Sequence, residues 1–145
     1  MYNIYIMNIQ ENYLDSFINL KGLLSQQVEN QSQTDFLTFV RLVAPSLVPG
    51  FLMGNHIKLI SDKLKAMEEG EIKRLMVFLP PRSSKSVICS KLFPAWYIGR
   101  NPNHEILTVS HSDQLSSDFG RSVRDIVSTE EFQQIFRGVH LRSDV

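Results

Sequence analysis

Apolar residues recur at helical spacing along much of this chain, and short apolar runs interrupt it. Phe36, Phe39, Val40 and Val43 follow the i, i+3, i+4, i+7 spacing of a helix with one buried face. Thr34 or Ser32 stands where a cap belongs, and Pro45 is expected to end the helix. Ile57, Ile60, Leu64 and Met67 repeat the pattern, with Asn55 as cap and Gly70 closing the far end. Between them, "PSLVPGFLMGN" reads as an irregular connection. Farther on, Leu115, Phe119, Val123 and Ile126 mark another helical face, and "STEE" from Ser128 to Glu131 reads as a capping box opening a last short helix.

Two other stretches read as strands. "RLMVFL" (74–79) is a continuous apolar run bounded by charges before and prolines after, as expected of a central strand covered on both faces, and "EILTVS" (105–110) reads as a second buried strand. A helix from about Lys85 to Ile98 lies between them, kinked or shortened by Pro94, with Gly99 and "NPN" turning the chain out. The order strand, helix, strand, helix implies right-handed crossovers and a parallel α/β sheet. The first 33 residues carry weaker signals. "NIYIM" (3–7) is expected as a short strand that could cover a sheet edge, residues 13–28 as a weakly amphipathic helix, and "QQVENQSQ" (26–33) as a loop.

Composition narrows the class without naming a function. With 145 residues, 43% hydrophobic and 21% charged, the chain suits one globular domain. Fifteen basic and fifteen acidic residues cancel, so bulk charge does not point to nucleic acid, although a local patch stays open. Cys89 is the single cysteine, and no Cys/His cluster has zinc spacing, which suits a reducing compartment such as cytoplasm. No apolar run is long enough for a membrane span, and the N-terminus lacks the pattern of a secretory signal.

Candidate chemistry gathers in "FLPPRSSKS". A strand running into a tight turn, a Lys-Ser pair and a helix start would bring free N–H groups and the positive end of a helix dipole onto an anion. Lys85 could then reach the β/γ-phosphates of a nucleotide, and the Ser86 hydroxyl could ligate Mg²⁺. The G-x-x-x-x-G-K-[ST] pattern is broken, however, with Leu79 at its first glycine and Ser84 at its second. If position 84 needs positive φ, serine there costs on the order of 1–2 kcal/mol. The plain alternative is a Pro-rich turn whose Ser83 or Ser84 hydroxyl caps a helix.

Wider context adds a resemblance. "GNHIKLISDKLKAMEEGEIKRLMVFLPPRSSKS", followed by "LFPAWYIGRNPNHEILTVSHSDQLSSDFGRSVRDIV", resembles the N-terminal ATPase region of the large terminase subunit of tailed phages and prophages. The likeness runs from about Asp35 to Asp125. In that family a strand ends in Pro-Pro-Arg, a variable residue and Gly-Lys-Ser, and a "FPAW" helix and "GRNP" turn follow. The resemblance implies a partial P-loop NTPase-type parallel sheet with flanking helices, preceded by N-terminal helices. It also implies an ATP-driven motor of the host cytoplasm that packages double-stranded viral DNA with a portal and a small terminase subunit. On this reading ATP and Mg²⁺ are the cofactors, and Pro81, Arg82, Ser83, Ser84, Lys85 and Ser86 form the nucleotide loop, shaped by Pro80. Lys85 would hold phosphate and Ser86 the metal. Arg82 would stabilise charge on the transferring phosphoryl group, or is simply a surface arginine. His56, preceded by Asn55, would lie near the base, and Arg121 and Arg124 could touch DNA or a neighbouring subunit.

The same comparison marks what is missing. An ATPase of this class needs an apolar strand ending in carboxylates, and no such stretch follows Ser110. No spaced Asp/Glu cluster after residue 110 could build a two-metal nuclease site. The expectation is therefore a poorly defined extension over 1–33 and the N-terminal part of a terminase-like ATPase domain over 34–145, truncated before its nuclease. Such a fragment would bind nucleotide weakly at best and hydrolyse none, or would survive as a non-catalytic interaction fragment with a degenerate site.

Overall fold

A computed structural model describes the backbone of residues 2–141 and the side-chain surroundings of residues 16–141. The described residues form helices and irregular segments: α1 (Tyr2–Thr34), α2 (Phe36–Leu47), α3 (Asn55–Glu68), α4 (Lys85–Val87), a π-helical stretch (Ile88–Leu92), α5 (Phe93–Arg100), α6 (Asp113–Val127) and α7 (Glu130–Ile135). The expected parallel α/β sheet is absent among the described residues. Residues 74–79 and 105–110 carry no strand assignment among the described residues. A strand completes its ladder only with a neighbouring strand, and neither segment makes a backbone hydrogen bond to another described residue. The "NIYIM" strand is likewise overturned, because residues 3–7 lie inside α1.

Helix α1 also absorbs the polar stretch expected as a loop. Ser25 and Ser32 donate their hydroxyls to the carbonyls of Lys21 and Val28, one turn back, at 3.0 and 2.8 Å. Their side chains are therefore satisfied within the helix and do not compete with its backbone. Asp35 interrupts the chain in extended geometry, and its carboxylate accepts the Thr38 N–H at 2.9 Å. This residue, rather than Thr34 or Ser32, caps α2.

The core is built on α2. Phe36, Phe39, Val40, Val43 and Ala44 are fully buried. Phe36 meets Phe93 edge-on at 5.4 Å and Trp96 at 5.2 Å, and Phe39 meets Phe132 edge-on at 6.3 Å. Each such aromatic pair adds about 0.5–1.5 kcal/mol beyond the area it buries. Ile57, Ile60 and Leu64 of α3 join this core, as do Ile126 and Val127 of α6. Pro45 does not end α2, which runs to Leu47: proline's φ suits a helix, and only one backbone bond is lost.

The helix after the loop continues to Arg100 because its π-helical stretch accommodates Pro94. The Phe93 N–H reaches back five residues to the Ile88 carbonyl, opening the coil just where the proline ring would collide with the carbonyl of Ser90. Gly99 lies within this helix, not in the turn beyond it. A Cβ there would come within 2.6 Å of the Phe136 ring, so glycine lets α5 and the chain after α7 pack closely. Thr129, not Ser128, caps α7: its hydroxyl accepts the Phe132 N–H at 3.3 Å.

Candidate functional site

The loop between residue 79 and α4 is held by side chains on the segment before it. Leu75, Val77 and Leu79 are half-buried against the core, whereas Met76 and Phe78 are 78% and 81% exposed. That two-residue alternation anchors the segment by one face and delivers Pro80 to the surface.

Beyond Pro80 the backbone turns through two left-handed residues, Arg82 (φ 64°) and Ser84 (φ 59°). Residues other than glycine, asparagine and aspartate seldom adopt this conformation. Ser84 is the position at which the phosphate-loop pattern carries glycine, immediately before Lys85 and Ser86. The plain alternative of a serine-capped helix is not what forms. Ser84 makes no side-chain cap, and the Ser83 hydroxyl donates backward to the Pro80 carbonyl at 2.6 Å. The first-turn N–H groups of α4 thus have neither a carbonyl behind them nor a capping oxygen.

This arrangement encloses a hollow of about 360 Å³ lined by Leu79, Pro80, Pro81, Arg82, Ser83, Ser84, Lys85, Ser86 and Val87. Of the residues picked from sequence, Pro81, Arg82, Ser83, Ser84, Lys85 and Ser86 therefore meet at one place. Arg82, Lys85 and Ser86 are exposed and free to approach an anion. His56 is not among the lining residues. It is exposed at the start of α3, its ring folded against Gly54, and Gly54 rather than Asn55 occupies the cap position. Arg121 pairs with Asp118 at 3.3 Å on α6, and Arg124 is exposed on the same helix.

Two features of the helix after the loop have surroundings that the sequence did not foretell. Cys89 lies one turn beyond Lys85. Burial pushes its thiol above the usual range, and the Lys85 ammonium pulls the other way. The "GRNP" turn is a latch on α3. Arg100 Nε and Asn101 Nδ2 donate to Glu68 Oε1 at 2.9 and 3.1 Å, and the Glu68 side chain is only 7% exposed. Arg100 also donates to the Gln33 carbonyl at 2.9 Å and lies 5.0 Å from the centre of the Trp96 ring. The turn therefore ties α1, α3 and α5 together.

A larger cavity of about 550 Å³ lies between α5 and residues 105–109. Two of its polar groups are committed elsewhere: Glu68 to the latch, and the Tyr97 hydroxyl to His104 Nδ1 at 3.0 Å. Among the described residues no group of three or more His, Cys, Asp or Glu could hold a metal ion, and no helix is long and apolar enough to cross a membrane. No family model matches the chain, nor does any curated protein or solved structure.

Proposed function

We propose that residues 80–86 bind the triphosphate of a nucleotide with Mg²⁺, in the manner of the DNA-packaging ATPases that the sequence resembles. The observation that carries this reading is the left-handed Ser84 directly before Lys85 and Ser86 at a helix start. It is the backbone that a phosphate loop requires, kept here by a residue that strains to adopt it. Lys85 supplies charge to the β/γ-phosphates, and the uncapped N–H groups of the first turn face the same anion. Magnesium bound with nucleotide takes most of its ligands from phosphate and water, so a single hydroxyl, that of Ser86, is a sufficient protein contribution. Arg82, at the rim of the hollow, is positioned to neutralise phosphate charge.

The reading assigns nucleotide binding to residues 80–86. A second reading, an interaction fragment with a degenerate nucleotide site, is favoured by the bare apolar side chains Met76, Phe78, Leu107 and Val109. Thermal unfolding with and without ATP–Mg²⁺ separates the two. Ligand at a hundredfold excess over its dissociation constant stabilises the folded state by about 2.7 kcal/mol. An upward shift that disappears in Lys85→Ala supports nucleotide binding. No shift at millimolar ATP–Mg²⁺, or one indifferent to Lys85→Ala, rejects it.

A further inference from the structure

Residues 74–79 present a side that the fold leaves open. No hydrogen bond joins the backbone of residues 73–79 to any other described residue. Leu75, Val77 and Leu79 face the core, and Met76 and Phe78 stand outward. Unpaired peptide groups in line, with side chains alternating between two faces, are what a β-strand completes. Lipid, nucleic acid and small molecules do not offer a matching row of donors and acceptors.

The sequence of this stretch also specifies which strand fits. Leu75-Met76-Val77-Phe78-Leu79 is nearly palindromic about Val77. Laid antiparallel on a second copy with Val77 opposite Val77, the segment puts Leu75 against Leu79 on the core-facing side and Met76 against Phe78 on the outer side. Opposite residues in an antiparallel pair share a face, so both sets match in this register. Arg74 and Lys73 then fall opposite Pro80 and Pro81, and the two Arg74 side chains lie about 20 Å apart along the ladder. Pro80 and Pro81 lack N–H groups and limit the pairing to these few residues. A patch that matches itself about a two-fold axis closes as a dimer when each segment pairs through one edge. We propose that the protein self-associates through residues 74–79, paired antiparallel about Val77. The inference rests on the open backbone and the palindrome, independently of the nucleotide reading.

Sedimentation of the full chain across micromolar concentrations tests it, together with amide exchange. The expected result is a monomer–dimer equilibrium in which the amides of residues 75–79 gain protection as dimer forms. Met76→Lys alone, or Phe78→Glu alone, raises the dissociation constant at least about tenfold. The double variant carrying both recovers the dimer, because each new lysine faces the partner's new glutamate. Both side chains are exposed, so helix content and Trp96 fluorescence report intact folding in all three variants. A monomer at every concentration overturns the proposal. So does association that continues beyond the dimer, a dimer unaffected by the single substitutions and thus held by another surface such as the exposed Phe17, Leu20 and Leu24 of α1, or a double variant that does not recover.

Discussion

Replacing Ser84 with glycine tests the strain at the loop directly. An L-residue in the left-handed region costs about 1–2 kcal/mol. Glycine removes that cost but loses about 0.5–1 kcal/mol more backbone freedom on folding. Ser84 makes no side-chain cap in this structure, so no capping interaction offsets the gain. The net expectation is a stabilisation of about 0.5–1 kcal/mol, or a rise in melting temperature of roughly 1–4 °C for a chain of this size. Differential scanning fluorimetry and urea unfolding measure it, with Ser84→Ala as control. Alanine keeps the Cβ and its strain and should leave stability near wild type, whereas valine, branched at Cβ, should lower it. Nucleotide affinity should rise in the glycine variant as well, since removing the Cβ lets phosphate approach the backbone. A glycine variant that melts no higher than the alanine variant would refute the strained backbone and, with it, the argument for a phosphate loop.

Other consequences are measurable in the same way. Ser61 Oγ is buried without a hydrogen-bond partner, so Ser61→Ala should stabilise the protein by about 1 kcal/mol in urea unfolding; a loss of stability would show that the hydroxyl is engaged. Gly99→Ala drives a methyl into the Phe136 ring and should destabilise by about 1–3 kcal/mol, with the Phe136 environment altered by NMR. Cys89 has its thiol raised by burial and partly offset by Lys85. Alkylation should therefore be slow at neutral pH, accelerate only as pH rises beyond the usual thiol range, and slow further in Lys85→Ala. Rates equal to those of the unfolded chain at neutral pH would contradict this.

The helical faces were legible because their signal is local. Phe36, Phe39, Val40 and Val43 lie at helix spacing and are buried, and Ile57, Ile60 and Leu64 behave the same way. The cap positions were displaced by one residue. Asp35 and Thr129 compete with neighbouring Thr34 and Ser128 for similar roles, and backbone geometry decides between them. The sheet was not legible, because an apolar run states only that a stretch can pair, and pairing depends on partners elsewhere in the chain. Residues 74–79 keep the two-residue alternation of a strand without acquiring its ladder. Helix α1 was missed in part for the opposite reason: "QQVENQSQ" looks like a loop by polarity, but its glutamines and glutamate are good helix formers, and its serine is satisfied within the helix. At the loop, residue order revealed the Lys-Ser pair and the missing glycine, while the left-handed turn at Arg82 carried no mark in the residues themselves.

Trp96, the only tryptophan in the chain, donates its indole N–H to the Ser32 carbonyl at 2.9 Å beneath the Arg100 guanidinium. The fluorophore is therefore wired to the junction at which the N-terminal rod, α1, meets α5. If that rod is pulled away, the indole loses its acceptor and gains water, and its emission shifts to the red before the aromatic cluster around Phe36 comes apart. The protein thus carries its own optical gauge of rod seating, readable in dilute solution without a label.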